Sequence, residues 1–185
     1  LIQIEAYRQR ANVSWLYSGK DDYLRGPNHI EEARADIDKV LESDFVNAQD
    51  YFVRGMLAYR YIAPHAAVSE VGMLQAHQMA VEYFDLAIKL DPEHANAHFS
   101  LGNAYINIGD LYSKQRNSFG AMEYRDKAIS ALTEAIELGK VEGYISRGSL
   151  DSSSGHLEKR ESDWDTACSL DQSLYPCNNK HEWKN

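Results

Sequence analysis

The sequence has few of the residues that interrupt or cross-link a chain, with 4 prolines and 2 cysteines among 185 residues. So few prolines argue against a collagen-like rod, and so few cysteines argue against a fold held by a disulfide framework. The apolar fraction of 44%, with 25% charged residues, argues against disorder. The composition therefore predicts one compact domain or one short solenoid.

Positive charge and long apolar runs are also scarce. Lys and Arg number 19 against 28 Asp and Glu, which gives a formal net charge of −9. Nucleic acids and anionic membranes are bound largely by neutralising their charge, so neither is expected as a partner. Apolar stretches such as residues 61–68 are far shorter than the roughly 20 residues of a membrane-spanning helix, so membrane insertion is not expected. The chain starts at Leu1 rather than Met, and an earlier leader remains possible.

Two short phrases recur along the chain. The first occupies residues 6–11, 50–55, 97–102 and 143–148, and it closes on a small residue, Ala11, Gly55, Gly102 or Gly148. The second reads Ala33-x3-Ile37-x2-Val40, Ala80-x3-Phe84-x2-Ala87, Ala128-x3-Leu132-x2-Ala135 and Arg160-x3-Trp164-x2-Ala167. Spacings of four and three keep these side chains on one face of a helix, so each pair of phrases predicts a helical hairpin.

These phrases resemble the tetratricopeptide repeat family, whose hairpins carry an aromatic residue, a leucine and a glycine, then an alanine, an aromatic residue and another alanine, then a proline. The most similar stretch runs from Ala80 to Pro92 and on through residues 97–105. Departures from the pattern are Arg10, Arg54 and Arg147 in place of leucine and Arg160 in place of alanine. The resemblance implies an all-α, right-handed solenoid of about four antiparallel helix hairpins, which binds proteins and needs no cofactor, metal or catalytic residue.

The predicted hairpins are longer than the family's unit of about 34 residues. Successive closing residues, from Ala11 to Gly55, Gly102 and Gly148, are 44, 47 and 46 residues apart. The additional residues still have an amphipathic helical pattern, so the first three hairpins are expected to be longer than the last. The predicted domain covers residues 1–170, with hairpins at approximately 1–44, 45–92, 93–139 and 140–170. Residues 171–185 are predicted to form a tail that packs on or caps the last hairpin.

In this family the first helix of each hairpin lines a concave groove, so residues flanking the first phrase are the candidate binding residues. The helical period selects Arg8, Asn12, Trp15, Phe52, Met56, Tyr59, Phe99, Asn103, Ile106, Asn107 and Ile145. A peptide segment or helix of another protein is the expected occupant, with Phe52, Tyr59 and Phe99 contributing most of the affinity. The alternative is that several of these side chains simply pack between hairpins.

The groove allows two kinds of function: an interaction scaffold or assembly factor, bacterial in style, or a subunit that contacts a fixed neighbour in a larger complex. One branch of the family instead binds the C-terminal carboxylates of heat-shock chaperones with lysine, asparagine and arginine side chains. Arg8 and Asn12 fit the first part of that site, but Val53 and Ser100 stand where polar or basic groups are required. Such a carboxylate clamp is therefore not expected.

The arginines that replace leucine suggest ion pairs within hairpins. Arg10, Arg54 and Arg147 occur where Asp38, Asp85 and Asp165 follow the large residue of the second phrase, whereas Leu101 occurs with Thr133. A guanidinium facing a partner helix is costly to bury unless a carboxylate compensates it. The expected pairs are Arg10 with Asp38, Arg54 with Asp85 and Arg147 with Asp165.

Histidine and cysteine offer two further candidate sites. His94 and His98 could share a metal, but no third ligand lies near them in the sequence, so no metal site is expected. The spacing of Cys168 and Cys177 is compatible with one local disulfide or with two reduced thiols. This ending is similar to those of cysteine-containing bacterial helical repeats, which tend to be exported. The resemblance implies a disulfide and an extracytoplasmic, periplasmic location, with the cytoplasm as the alternative.

Overall fold

A computed structural model of the chain describes residues 2–17, 28–60, 69–153, 157–175 and 177. These residues form eight α-helices and no β-strand. The helices are α1 (Ile2–Tyr17), α2 (Asn28–Leu41), α3 (Ala48–Arg60), α4 (Glu70–Leu90), α5 (Ala95–Lys114), α6 (Ser118–Glu137), α7 (Glu142–Ser153) and α8 (Leu157–Leu170). The all-α prediction is confirmed.

The helices are grouped in two compact units, Leu1–Ala97 and His98–Asn185. In the first unit α1 packs on α2, α3 packs on α4, and both helices of the first pair also contact α3. In the second unit α7 packs on α6 and on α8. Consecutive helices therefore pair as the hairpins that the repeated phrases predict.

Helix length differs between the third and fourth hairpins. Helices α5 and α6 each have 20 residues, whereas α7 has 12 and α8 has 14. Helix α4 of the second hairpin has 21 residues. Residues 18–27 and 61–68, between the helices of the first two hairpins, lie outside the described part of the chain. The expected extension is therefore visible in α4, α5 and α6.

The small residue that closes the first phrase marks the closest approach of the two helices in a hairpin. A Cβ placed on Gly102 would lie 2.7 Å from Cγ of Leu132, and one on Gly55 would lie 2.6 Å from Cε1 of Phe84. Both partners are large residues of the second phrase and are fully buried. Glycine is therefore required here so that the second helix can press its largest side chain against the first.

The third hairpin closes through a short turn at residues 115–117. Arg116 has φ of 57°, the left-handed conformation that ends a helix. The Asn117 side chain then accepts a hydrogen bond of 3.0 Å from the backbone N–H of Gly120, which caps the start of α6. The turn places the ends of α5 and α6 side by side.

Candidate functional site

One face of α5 carries a strip of candidate binding residues. Its members are Phe99, Asn103, Ile106 and Asn107, all half-buried and spaced by the helical period. The other side of the helix is core, with Leu101, Ala104, Ile108 and Leu111 buried. We call the four half-buried residues the α5 strip. It combines apolar and amide side chains, the composition expected of the groove.

A cation lies at the first turn of the α5 strip. Nζ of Lys140 lies 5.4 Å from the centre of the Phe99 ring and 2.9 Å from a carboxylate oxygen of Glu142. The ammonium group is thereby held over the aromatic face while its charge is balanced. The Phe99 ring is fixed in position and still partly accessible.

The corresponding residues of α3 are part of the core of the first unit. Phe52 is 4% exposed, and its ring lies 6.0 Å from that of Phe84 and 5.0 Å from that of His94. Met56 is also buried. The expectation that Phe52 and Met56 line an open groove is wrong. Because Gly55 lets the Phe84 ring lie against α3, the neighbouring large side chains close around that ring.

The remaining groove candidates differ in their surroundings. Asn12, Tyr59 and Ile145 are half-buried, and the Tyr59 ring lies 5.3 Å from that of His77. The backbone carbonyl of Ile145 accepts a hydrogen bond of 3.1 Å from the Trp164 indole N–H. The side chain of Trp15 lies outside the described residues.

Arg8 is engaged in a structural ion pair. Its Nε and Nη2 donate to the two carboxylate oxygens of Asp50 at 2.6 and 2.9 Å, and Nη2 also donates to the carbonyl of Phe45 at 2.8 Å. The bonds to Asp50 raise the pKa of the Arg8 guanidinium. Since these donors are occupied, the interpretation of Arg8 as a groove residue is corrected to a link between α1 and α3.

Asp50 was not among the residues selected from the sequence, although a local signal existed. Asn47 and Asp50 exchange backbone-to-side-chain hydrogen bonds of 3.0 Å at the start of α3. This is a capping box, recognisable as Asn followed by an acid three residues later. The same carboxylate caps α3 and receives Arg8, which explains why a charged side chain is fully buried there.

All three hairpin arginines form ion pairs, but with other aspartates than predicted. Arg10 forms two bonds of 2.8 Å with Asp36, and Arg147 forms bonds of 2.8 and 2.9 Å with Asp163. Nε of Arg54 donates to Asp38 at 2.6 Å. The predicted carboxylates Asp85 and Asp165 are exposed. Arg10 therefore pairs with Asp36 rather than Asp38, and Arg54 pairs with Asp38 rather than Asp85, so these two expected pairs are wrong. The expected contact of Arg147 with Asp165 stays a prediction beside the pair that Arg147 forms with Asp163.

Helix geometry explains the difference. Residues one before and one after the large residue of the second phrase are about 200° apart around the helix, so they face different neighbours. The earlier position faces the first helix of its own hairpin, as Asp36 and Asp163 do. The later position faces the following hairpin: Asp38 receives Arg54, and Thr133 receives Nη1 of Arg147 at 2.9 Å. The prediction used the later position and assigned it to the wrong hairpin.

His94, directly before α5, contributes to the cap of that helix. The backbone N–H of Ala97 donates to Nδ1 of His94 at 3.2 Å, and His94 Nε2 lies 3.2 Å from the Gln49 side-chain oxygen. Among the described residues, no group of three or more His, Cys, Asp or Glu could hold a metal ion. None of the described helices is long and apolar enough to span a membrane.

The C-terminal segment is covalently attached to the last helix. Cys168 of α8 and Cys177 form a disulfide, and both residues are buried. Backbone and hydroxyl groups of Ser173 donate to the Asp171 carboxylate at 2.9 and 2.7 Å, which lowers the pKa of Asp171. The described part of the predicted tail is thus held against the fourth hairpin.

The fold, with the same close helix contact recurring at Gly55, Gly102 and Gly148, defines an all-α helical repeat protein. Residues 83–116, from the second half of α4 through α5, match the tetratricopeptide repeat family. The resemblance inferred from the sequence is confirmed over these residues. No protein of curated function matches the chain.

Two solved structures share the fold. "Crystal structure of MamA protein" aligns with a TM-score of 0.58 and 21% identity over 97% of this chain and 84% of that one. "Crystal structure of MamA" aligns with a TM-score of 0.56 and 20% identity over 92% of this chain and 87% of that one. The likeness is one of fold, and it extends over nearly the whole chain.

Proposed function

We propose that the chain is a protein-interaction scaffold, without catalytic activity, that binds a segment of a partner protein along the α5 strip. The observation that carries this proposal is the half-buried row of Phe99, Asn103, Ile106 and Asn107 on a helix whose other side is core. Tetratricopeptide repeats are in general scaffolds for protein interaction, and repeat arrays present extended binding surfaces.

The composition of the α5 strip suits an extended peptide. The amide side chains of Asn103 and Asn107 can both donate to and accept from the backbone of a bound chain. Phe99 and Ile106 supply apolar anchors on the same face. The strip therefore offers the combination of anchors and backbone hydrogen bonds that peptide recognition requires.

The test is capture of the partner from the source cells, followed by affinity measurements with the purified partner. The variant Phe99→Ala/Asn103→Ala should weaken binding roughly tenfold or more, since two central contacts are lost. The matched control is Met79→Ala, which removes an exposed apolar side chain from α4. Equal affinity of the folded double variant and the wild-type chain would exclude the α5 strip as the binding surface.

The second candidate function is a structural subunit of a larger complex. The extended helices α5 and α6 favour it, because they present surface beyond the shorter fourth hairpin. Capture distinguishes the two functions: several exchangeable partners support the scaffold, and one stoichiometric partner supports the subunit.

We also propose that the protein works in an oxidising compartment such as the periplasm. The Cys168–Cys177 disulfide supports this, because structural disulfides persist in such compartments and are rare in the cytoplasm. Thiol alkylation of the protein in freshly lysed source cells tests it. Both cysteines should resist modification until a reductant is added, and immediate modification would favour the cytoplasm.

A further inference from the structure

Neighbouring hairpins contact one another through the arginine of the first phrase. In the fourth hairpin, Nη1 of Arg147 donates to Thr133 of α6, and the Arg147 side chain is 23% exposed. In the second hairpin, Nε of Arg54 donates to Asp38 of α2, and the Arg54 side chain is 7% exposed. In both cases the second helix of the preceding hairpin supplies a side-chain oxygen acceptor to the arginine.

The first hairpin repeats this arrangement with its arginine exposed. Nε and Nη2 of Arg10 donate to the two carboxylate oxygens of Asp36 at 2.8 Å, as the same atoms of Arg147 donate to Asp163. The Arg10 side chain is nevertheless 63% exposed. A guanidinium has more N–H donors than the two that Asp36 receives, so Arg10 can also donate to a helix that covers it, as Arg147 does.

The arginines of the first and fourth hairpins lie beside clefts lined by corresponding residues of the repeat. In the first hairpin the cleft has a volume of about 580 Å³, and its lining includes Arg10, Glu32, Ala35 and Asp36. In the fourth hairpin it has a volume of about 300 Å³, and its lining includes the residues at the same four positions, Arg147, Lys159, Ser162 and Asp163. Ile129 of α6 forms a further wall there, so the preceding hairpin contributes an apolar side chain. We call the cleft of the first hairpin the Arg10 cleft.

Ile129 and Thr133 indicate what kind of helix covers such a cleft. They are four residues apart on α6, so both lie on one face of that helix. Thr133 supplies the oxygen acceptor, and Asp38 supplies it at the corresponding position of α2. An amphipathic helix with an aliphatic residue, followed four positions later by Asp or Thr, is therefore complementary to the Arg10 cleft.

We propose that the Arg10 cleft is a second docking surface, which binds an amphipathic helix of a partner protein in the way that α6 covers the cleft of the fourth hairpin. The aliphatic residue of the partner helix lies in the cleft, and its Asp or Thr accepts a hydrogen bond from Arg10. The proposal does not depend on the α5 strip, because no residue of that strip lines the Arg10 cleft.

A second copy of the chain is a poorer occupant, because the tail lies on the helix that would have to dock. That helix is α8, the second helix of the last described hairpin. In the third hairpin, Ile136 contacts the following hairpin, since a Cβ on Gly143 would lie 2.8 Å from it. Cys168 has the position of Ile136 in α8, and it is bonded to Cys177. Cys177 thus lies against the part of α8 on which another hairpin would pack.

The test uses a display library of amphipathic helical peptides of 20 residues, the length of α6, selected against the wild-type chain. Enriched peptides should carry an aliphatic residue with Asp or Thr four positions later. The best peptide is then synthesised for affinity measurement. Ala35→Trp should weaken its binding roughly tenfold or more, because a large side chain at this exposed position of α2 fills the cleft.

A double-mutant cycle between protein and peptide tests the contact of Arg10. Arg10→Leu, and replacement of the peptide's Asp or Thr by alanine, should each weaken binding by roughly fivefold or more. The two changes together should cost little more than either alone. A structural role of Arg10 would instead make the two effects multiply. Circular dichroism checks the fold of Arg10→Leu, and Ala35→Trp leaves the pair of Arg10 with Asp36 intact.

Two control variants separate the Arg10 cleft from the rest of the molecule. Ser130→Trp places the same side chain at the corresponding exposed position of α6, in the hairpin that has Leu101 in place of the arginine, and should leave binding unchanged. Phe99→Ala, in the α5 strip, should also leave it unchanged. If instead Phe99→Ala abolishes binding and Ala35→Trp does not, the α5 strip is the binding surface and the Arg10 cleft is not.

Several outcomes overturn the proposal. They are the absence of any enriched peptide, enriched peptides that lack the Asp or Thr, full affinity of the Ala35→Trp variant, and independent effects of the two changes in the cycle. Self-association that Ala35→Trp abolishes would assign the cleft to a second copy of the chain. A longer chain that starts before Leu1, and that binds the peptide only after those earlier residues are removed, would assign the cleft to its own residues.

Discussion

The guanidinium of Arg54 on α3 donates from Nε to the carboxylate of Asp38 on α2 at 2.6 Å, so this ion pair joins the second hairpin to the first. Its carbon Cζ also lies 4.9 Å from the centre of the Tyr83 ring on α4 of its own hairpin. Arg147 has neighbours at the two corresponding positions: Thr133 of the preceding hairpin and Asp163 of its own hairpin. Arg54 and Arg147 therefore each connect their own hairpin to the preceding one, whereas Arg10 pairs with Asp36 within the first hairpin.

We expect Asp38→Ala to lower the free energy of unfolding by about 2 kcal/mol. The side chain of Arg54 is only 7% exposed, so its charge would lose its compensating carboxylate in a poorly hydrated position. The loss should stay below that of a fully buried pair, because the Asp38 side chain is 47% exposed and water can partly replace it. Urea denaturation followed by circular dichroism measures the change.

A double-mutant cycle tests whether the two residues are coupled. Arg54→Leu takes the residue found at Leu101 in the third hairpin, so Arg54→Leu/Asp38→Ala should cost much less than the sum of the single changes. The control is Glu82→Gln, which changes an exposed carboxylate of α4 and should have little effect. Additive single changes would mean that the ion pair contributes nothing to stability.

The sequence predicts the helices because their apolar spacing repeats, and it predicts the close contacts because a small residue recurs at each. It does not predict which neighbour a polar side chain faces. That choice depends on a rotation of about 100° per residue, so a shift of one or two positions moves a carboxylate from its own hairpin to the next. Asp36 and Asp38 illustrate this, since both are acidic and only the structure separates their partners.

The candidate binding residues show the same limit. Phe52 and Phe99 occupy the same position, the third, of the first repeated phrase. Nevertheless Phe52 is buried and Phe99 is half-buried. Local sequence does not distinguish them because the difference comes from the neighbour: the Phe52 ring packs on the Phe84 ring. In the third hairpin Leu132 occupies the position of Phe84, so this position supplies no ring to cover Phe99.

Two glycines of α5 should respond oppositely to alanine. Gly102→Ala should destabilise the protein by about 1–3 kcal/mol, since its Cβ would lie 2.7 Å from the Cγ of Leu132, which is fully buried and has no space to move. Gly109→Ala is the matched control on the same helix. Its nearest contact would be 3.5 Å, so the higher helix propensity of alanine should stabilise the protein slightly. Thermal unfolding of both variants measures the contrast, and equal effects would contradict the packing of Gly102 on Leu132.

Removing the disulfide should loosen the end of the fourth hairpin. Cys168→Ser/Cys177→Ser should lower the free energy of unfolding by roughly 2–3 kcal/mol, because a short closed loop restricts the unfolded chain. Hydrogen exchange should show faster opening of the last turns of α8, while α3 and α4 in the first unit keep their protection. Reduction of the wild-type protein should reproduce the effect. An unchanged unfolding transition after full reduction would argue that the bond has no stabilising role.

His77 should make the first unit sensitive to acid. The residue is 8% exposed on α4, and its Nδ1 has no hydrogen-bonding partner among the described residues. Burial lowers the pKa of His77 from 6.5 to about 4, because a charged imidazole would lose its hydration. The folded state thus holds a neutral ring, whereas the unfolded chain takes up a proton near its ordinary pKa.

The sign of the pH dependence follows from this difference. Above about pH 6.5 the ring is neutral in both states, so His77 does not change the free energy of unfolding. As the pH falls towards about 4, the unfolded chain binds a proton at this histidine and the folded state does not. Stability should therefore fall over that interval, by up to about 3 kcal/mol.

The variant His77→Leu tests this, because it places an apolar side chain against Tyr59 and should remove this part of the pH dependence. At neutral pH the variant should change stability little, because Nδ1 of His77 has no hydrogen bond to lose among the described residues. Urea denaturation of both proteins at about pH 7 and about pH 4.5 provides the comparison. The other six histidines are common to both chains, so only the difference between the two curves reports on His77. Parallel curves would show that His77 is as easily protonated in the folded protein as in the unfolded chain.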